Sequence, residues 1–223
     1  MLNLRELLNL LNRLPLELFV LLFFLTGGVL ILLRDWRASV MALLAQYLAM
    51  GLVLARLVRP EVAMAKVLVG LFICLMLYLS ASQASWRRQQ TFTQHGPRAL
   101  LAQRNLTGGV FPSGRTFRLM AMLLLSVTTF SLAQTYPISN LPLIVSIAIY
   151  WLTLAGLLIL ILTEEPLKIG QGLLTTITGF ELWYTTLEES LLVVGLWGAV
   201  NLLLALAIGY LTAVRSINLE EDF

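Results

Sequence analysis

Residues 167–210 read LKIGQGLLTTITGFELWYTTLEESLLVVGLWGAVNLLLALAIGY, two apolar runs parted by Glu188-Glu189, with a further carboxylate, Glu181, well inside the first run. Each run approaches the ~20 residues that a helix needs to cross ~30 Å of hydrocarbon. A charged side chain is expensive at that depth, so it faces the interior of a bundle, finds a partner and marks a candidate functional site. The fold class expected from this stretch is an all-α integral membrane protein.

The rest of the composition agrees. Of 223 residues, 59% are hydrophobic and 12% charged, whereas about a quarter of a soluble domain is charged. The apolar residues come in long blocks and not in the short alternating segments of an outer-membrane barrel. One cysteine, Cys74, and one histidine, His95, leave the disulfide, metal and nucleophile templates without parts. No cofactor, no metal ion and no catalytic residue are therefore expected. A net charge of +3 makes no case for nucleic acid as a partner.

Working outward, residues 1–14 (MLNLRELLNLLNRL) place Leu4, Leu7, Leu8, Leu11 and Leu14 on one helical face, the spacing of an amphipathic interfacial segment. Residues 15–79 form a three-helix transmembrane unit, with blocks at 16–33, 38–58 and 62–79. Short connections at Arg34-Asp35-Trp36-Arg37 and around Pro60 require antiparallel neighbours. Residues 80–116 turn polar and basic and are expected to be a loop. Residues 117–214 form a four-helix unit, with blocks at 117–134, 143–162, 167–187 and 191–214, and 215–223 an acidic tail. The expectation is about seven transmembrane helices in one bundle.

With seven crossings, one face receives Arg34, Arg37, six arginines (87, 88, 98, 104, 115, 118), Lys168 and Arg215, ten basic residues. The other receives four: Arg5, Arg13, Arg56 and Arg59. The excess of basic residues on cytoplasmic loops places the 80–116 segment and the C-terminus in the cytoplasm and the N-terminus outside.

The fifteenth basic residue, Lys66, lies within the third block. At ~1.5 Å per residue, Lys66 and Glu181 both fall roughly 6–8 Å to the outer side of the bilayer midplane. They are expected to share one polar interior, directly or through Gln46 and Asn201, which also sit within spans. The alternatives are a snorkelling Lys66, a Glu181 that only fixes packing, and amides that act as interhelical glue.

Two stretches carry a family resemblance. Arg37-x-Ser39, Gln46 and Ala65-Lys66-Val67-Leu68-Val69 resemble the first half of the membrane E subunit of hydrogenase-4 and formate hydrogenlyase complexes. Gly179-Phe180-Glu181-Leu182 in a glycine-flanked helix looks like the core of the K subunit of respiratory complex I and of the C subunit of multisubunit cation/proton antiporters. Asn201 stands near where the K subunit has a second buried glutamate, so the resemblance does not extend to a relay between two acids.

The resemblance implies a non-redox membrane subunit of a respiratory or hydrogenase-type complex in the bacterial plasma membrane. Its partners would be other membrane subunits and lipid. Its work would be a proton or cation path, or the coupling of one, through Glu181 and Lys66. The other classes in play are a structural or assembly subunit and an independent small transporter. No nucleophile, base and orienting residue cluster in the sequence, which argues against an intramembrane enzyme.

Overall fold

The computed structural model describes residues 15–33, 35–58, 60–95, 114–138, 141–188 and 190–221. They form an all-helical membrane protein. Seven helices follow in order among the described residues: α1 Leu16–Leu32, α2 Trp36–Leu57, α3 Pro60–His95, α4 Arg115–Thr135, α5 Leu143–Leu162, α6 Pro166–Leu187 and α7 Leu191–Glu221. The expected amphipathic segment 1–14, and residues 96–113 of the expected loop, lie outside the described residues.

Five helices are long and apolar enough to cross a membrane: α2, α3 over Pro60–Trp86, α4, α5, and α7 over Leu191–Val214. The other two differ for separate reasons. α1 is apolar but has only 17 residues, whereas α6 has 22 residues and too many polar ones.

Two boundaries differ from the sequence-based expectation. α3 does not stop at Leu79 but continues to His95. The segment 80–95 contains neither glycine nor proline, the first such pair being Gly96-Pro97. Polarity ends a transmembrane span without ending a helix. For the same reason α7 runs on through 215–221, where an acidic tail was expected.

The two halves of the chain interleave. α1 packs on α2, α4 and α5, α3 packs on α2 and α7, and α6 packs on α5, α7 and α2. Two apolar cores result. One gathers Phe23, Leu30, Met50, Trp151, Leu152 and Leu182 from α1, α2, α5 and α6. The other gathers Leu43, Tyr47, Ile73, Leu77, Leu174 and Ala205 from α2, α3, α6 and α7. Trp151 anchors the first: its ring stacks on Phe24 at 4.0 Å between centroids, and its indole N–H donates to the Phe23 carbonyl at 2.9 Å. α2 and α6 contribute to both cores, and the buried polar groups sit on these two helices and their neighbours.

Candidate functional site: a buried ion pair between helices

α6 carries its buried polar residues in one row. Lys168, Gln171, Thr175, Thr178, Glu181 and Thr185 are all buried, and their spacing of three or four residues lines them along one face. Three of the threonine hydroxyls donate back to the carbonyl four residues earlier: Thr175 to Gln171, Thr178 to Leu174 and Thr185 to Glu181, each at 2.7 Å. Such bonds satisfy a hydroxyl's donor inside its own helix and leave its lone pairs as acceptors.

Glu181 lies near the far end of this row. Lys66 of α3 brings its ammonium to 2.6 Å from Glu181 Oε1, and the Asn201 side-chain amide of α7 donates to the same oxygen at 2.9 Å. Exposure is 3% for Lys66, 1% for Glu181 and 1% for Asn201, so no exposed water screens the pair. The second carboxylate oxygen, Oε2, has no hydrogen-bonding partner among the described residues, nor has Asn201 Oδ1. Beyond the ion contact, the Lys66 ammonium likewise has none.

Close backbone packing fixes where Glu181 can be. A methyl group at Gly179, two residues before it, would lie 2.8 Å from the Thr153 backbone nitrogen and 3.1 Å from the Ile149 carbonyl oxygen on α5. Only glycine lets α6 approach α5 so nearly. A second glycine does comparable work on α3, where a methyl at Gly70 would collide with the Tyr47 ring. Tyr47 of α2 is thereby packed against α3, with its hydroxyl buried and without a hydrogen-bonding partner among the described residues.

Of the four residues that the sequence singles out, three meet: Lys66, Glu181 and Asn201. Gln46 is fully buried, but neither atom of its amide has a hydrogen-bonding partner among the described residues, and no bond joins it to the pair. Gln171 on α6 is in the same situation. Tyr47, Gln171, Thr175 and Thr178 are buried beside or along the same helices without standing out in the sequence. The period of three and four between Lys168 and Thr185 was the signal that could have found most of them.

A second buried charged cluster caps α1. Lys168 donates to the Leu33 carbonyl at 2.7 Å and the Leu30 carbonyl at 3.2 Å. Arg118 of α4 donates to the Ile31 carbonyl at 3.2 Å and reaches the Leu162 carbonyl, at the end of α5, at 3.4 Å. The last carbonyls of a helix lack intrahelical donors and carry its negative dipole end, which cations stabilise. Both residues figured in the sequence only as loop charges.

In chemical terms the α3–α6–α7 cluster is a carboxylate with one oxygen engaged twice and the other open, facing a proton-bearing ammonium. It holds a proton donor and a proton acceptor side by side. Among the described residues, no three His, Cys, Asp or Glu side chains group so as to hold a metal ion. Cys74 is buried in the second apolar core. No family model matches the chain, and no curated protein or solved structure matches it at a significant level.

Proposed function

We propose that this chain is a non-redox membrane subunit of a multisubunit respiratory or hydrogenase-type complex, and that Glu181 and Lys66 serve a proton path or its coupling. The observation that carries the reading is the ion pair itself, made by residues 115 positions apart (181 − 66) on helices embedded among lipid-compatible ones. Ionisable groups inside a membrane mark ion pathways and proton relays more often than packing devices. The ammonium takes one carboxylate oxygen, Oε1, and puts a positive charge beside the other, where a metal cation would be repelled and a proton can be exchanged. That favours a proton over sodium as the ion handled.

In this reading α1 and α6 also cross the membrane, giving seven crossings in a bacterial plasma membrane. α1 is shorter than most spans, and α6 is screened from lipid by α2, α5 and α7. The N-terminus lies outside, and the 80–116 segment and C-terminus lie in the cytoplasm. The row of hydroxyls and amides from Lys168 to Glu181 then lines the approach from the cytoplasmic side.

The test is to purify the chain in mild detergent with whatever membrane subunits accompany it, reconstitute that assembly, and compare proton movement with that of Glu181→Gln. Loss of proton movement with assembly intact supports the proposal. Unchanged movement overturns it. A purely structural or assembly role is the second reading, favoured by the triple engagement of Lys66, Glu181 and Asn201 across three helices. Under it Glu181→Gln lowers the yield of the assembly and leaves its specific activity alone.

A further inference from the structure

Away from the ion pair, a cavity of about 420 Å³ opens between the start of α2 and the far part of α3. It is lined by Asp35, Trp36, Arg37, Ala38, Ser85 and Trp86. The volume falls within the ~300–1,000 Å³ usual for sites that hold a small ligand or a headgroup. Trp86 is 70% exposed and stands where the apolar part of α3 ends, and Trp36 opens α2. Tryptophan at the ends of apolar helices marks the level of lipid headgroups.

Among the described residues, the charges lining this cavity are one carboxylate and one guanidinium. Asp35 occupies the N-cap of α2, yet its side chain makes no capping hydrogen bond, so neither carboxylate oxygen is used up in closing its own helix. The Arg37 guanidinium lies over the Trp36 ring, 5.3 Å from its centroid. Beyond Arg37, at steps of four and seven, Met41 and Leu48 are 60% and 42% exposed on α2. Beyond Ser85, at steps of seven and three, Tyr78 and Leu75 are 44% and 49% exposed on α3. Polar cavity and apolar flanks therefore run one into the other along both helices.

We propose that this cavity binds the headgroup of a zwitterionic phospholipid bearing a primary ammonium, the phosphatidylethanolamine type, with its acyl chains along α2 and α3. Arg37 and the first free backbone N–H groups of α2 receive the phosphate, and Asp35 receives the ammonium. The paired charges balance a headgroup of no net charge, which an anionic lipid would leave with Asp35 opposed to it. A quaternary ammonium would need open aromatic faces. Trp36 has Arg37 over its ring and Tyr78 5.5 Å away, which leaves Trp86 as a single exposed ring and not a cage of several, so the carboxylate, a hydrogen-bond acceptor, sets the preference for a primary amine.

Native mass spectrometry of the full-length chain, released from detergent in the presence of equal phosphatidylethanolamine, phosphatidylcholine and phosphatidylglycerol, tests this. The wild type is expected to retain the ethanolamine lipid about tenfold over the other two, the contribution of one charge-assisted hydrogen bond. Asp35→Asn, which keeps a good N-cap residue, is expected to abolish the preference for ethanolamine over choline. Arg37→Gln is expected to weaken retention of both. Preferential retention of the glycerol lipid, retention without preference, or a preference that survives Asp35→Asn would overturn the assignment. Circular dichroism of each variant confirms that the bundle is formed.

Discussion

Lys66 and Lys168 are ammonium groups with the same 3% exposure in one helical bundle, and they are neutralised by different means. Lys66 faces another side chain, the Glu181 carboxylate, at 2.6 Å. Lys168 hydrogen-bonds to the backbone, donating to the Leu30 and Leu33 carbonyls at the end of α1, with the Glu165 and Asp35 carboxylates acting on it only through space. Carbonyl dipoles are fixed by the helix and take up no proton. A carboxylate takes one up, and when it does the Lys66 charge loses its partner. The same buried cation is thus static at the end of α1 and conditional between α3 and α6. This difference, more than burial, singles out the second site as one whose charge can be switched.

The comparison is broken most forcefully by removing one member of the pair. Lys66→Met and Glu181→Met, each alone, strand a buried charge, and either is expected to lower stability by about 3–5 kcal/mol. The double substitution removes both charges and is expected to recover most of that loss, since an apolar pair of similar volume often does as well as a buried ion pair. Thermal denaturation in detergent, analysed as a double-mutant cycle, reads the coupling directly. Additive losses would mean that the two groups do not depend on one another. The same cycle run with Lys168→Met and Glu181→Met is expected to be additive. Thirteen residues of helix, roughly 20 Å, separate these two positions.

The pair was legible in the sequence because hydrocarbon tolerates so few charges. Glu181 and Lys66 stand out against their apolar neighbours, and counting helical rise put them at a common depth. The antiparallel order of the blocks was legible too, from connections too short for any other arrangement. The end of α3 was not. Hydropathy reports where water begins, and the sixteen residues from Ser80 to His95 are polar and helical together. Nor was the cap on α1, because its partners are backbone carbonyls, which look alike in every sequence. Arg118 and Lys168 give no sign of which carbonyls they meet. The glycines divide similarly: Gly179 sits against α5, whereas Gly195 has open space around it, and nothing in the sequence tells the two apart.

Smaller changes sharpen the comparison. Lys168→Met frees the two carbonyls and deletes the charge at once, so the hydrogen-bonding partners left behind are uncharged acceptors. The expected loss is about 1–3 kcal/mol, below that of Lys66→Met, read from the same thermal midpoints. Asn201→Leu removes the 2.9 Å bond to Glu181 Oε1 while the ion contact persists. It is expected to cost about 1.5–3 kcal/mol, as a hydrogen bond to a charged group does, and nothing further once Glu181→Met is present. A cost that persists in that background would show that Asn201 acts through packing and not through the carboxylate.

The mildest change is Arg118→Lys. The guanidinium spans the Ile31 and Leu162 carbonyls, at the ends of α1 and α5, with bonds of 3.2 and 3.4 Å. Those lengths lie at or beyond the upper limit of strong N–H···O bonds, so little energy rides on either. Lysine keeps the positive charge near the α1 terminus and gives up the fork that reaches two helices together. The expected loss is about 0.5–1 kcal/mol. Helix dipoles ask for a charge nearby and are indifferent to which atom carries it, whereas the Glu181 carboxylate depends on one ammonium at one distance. Were Arg118→Lys to cost as much as Lys66→Met, the cations at the end of α1 would be held as specifically as the ion pair, and the distinction between a static and a switchable charge would fail.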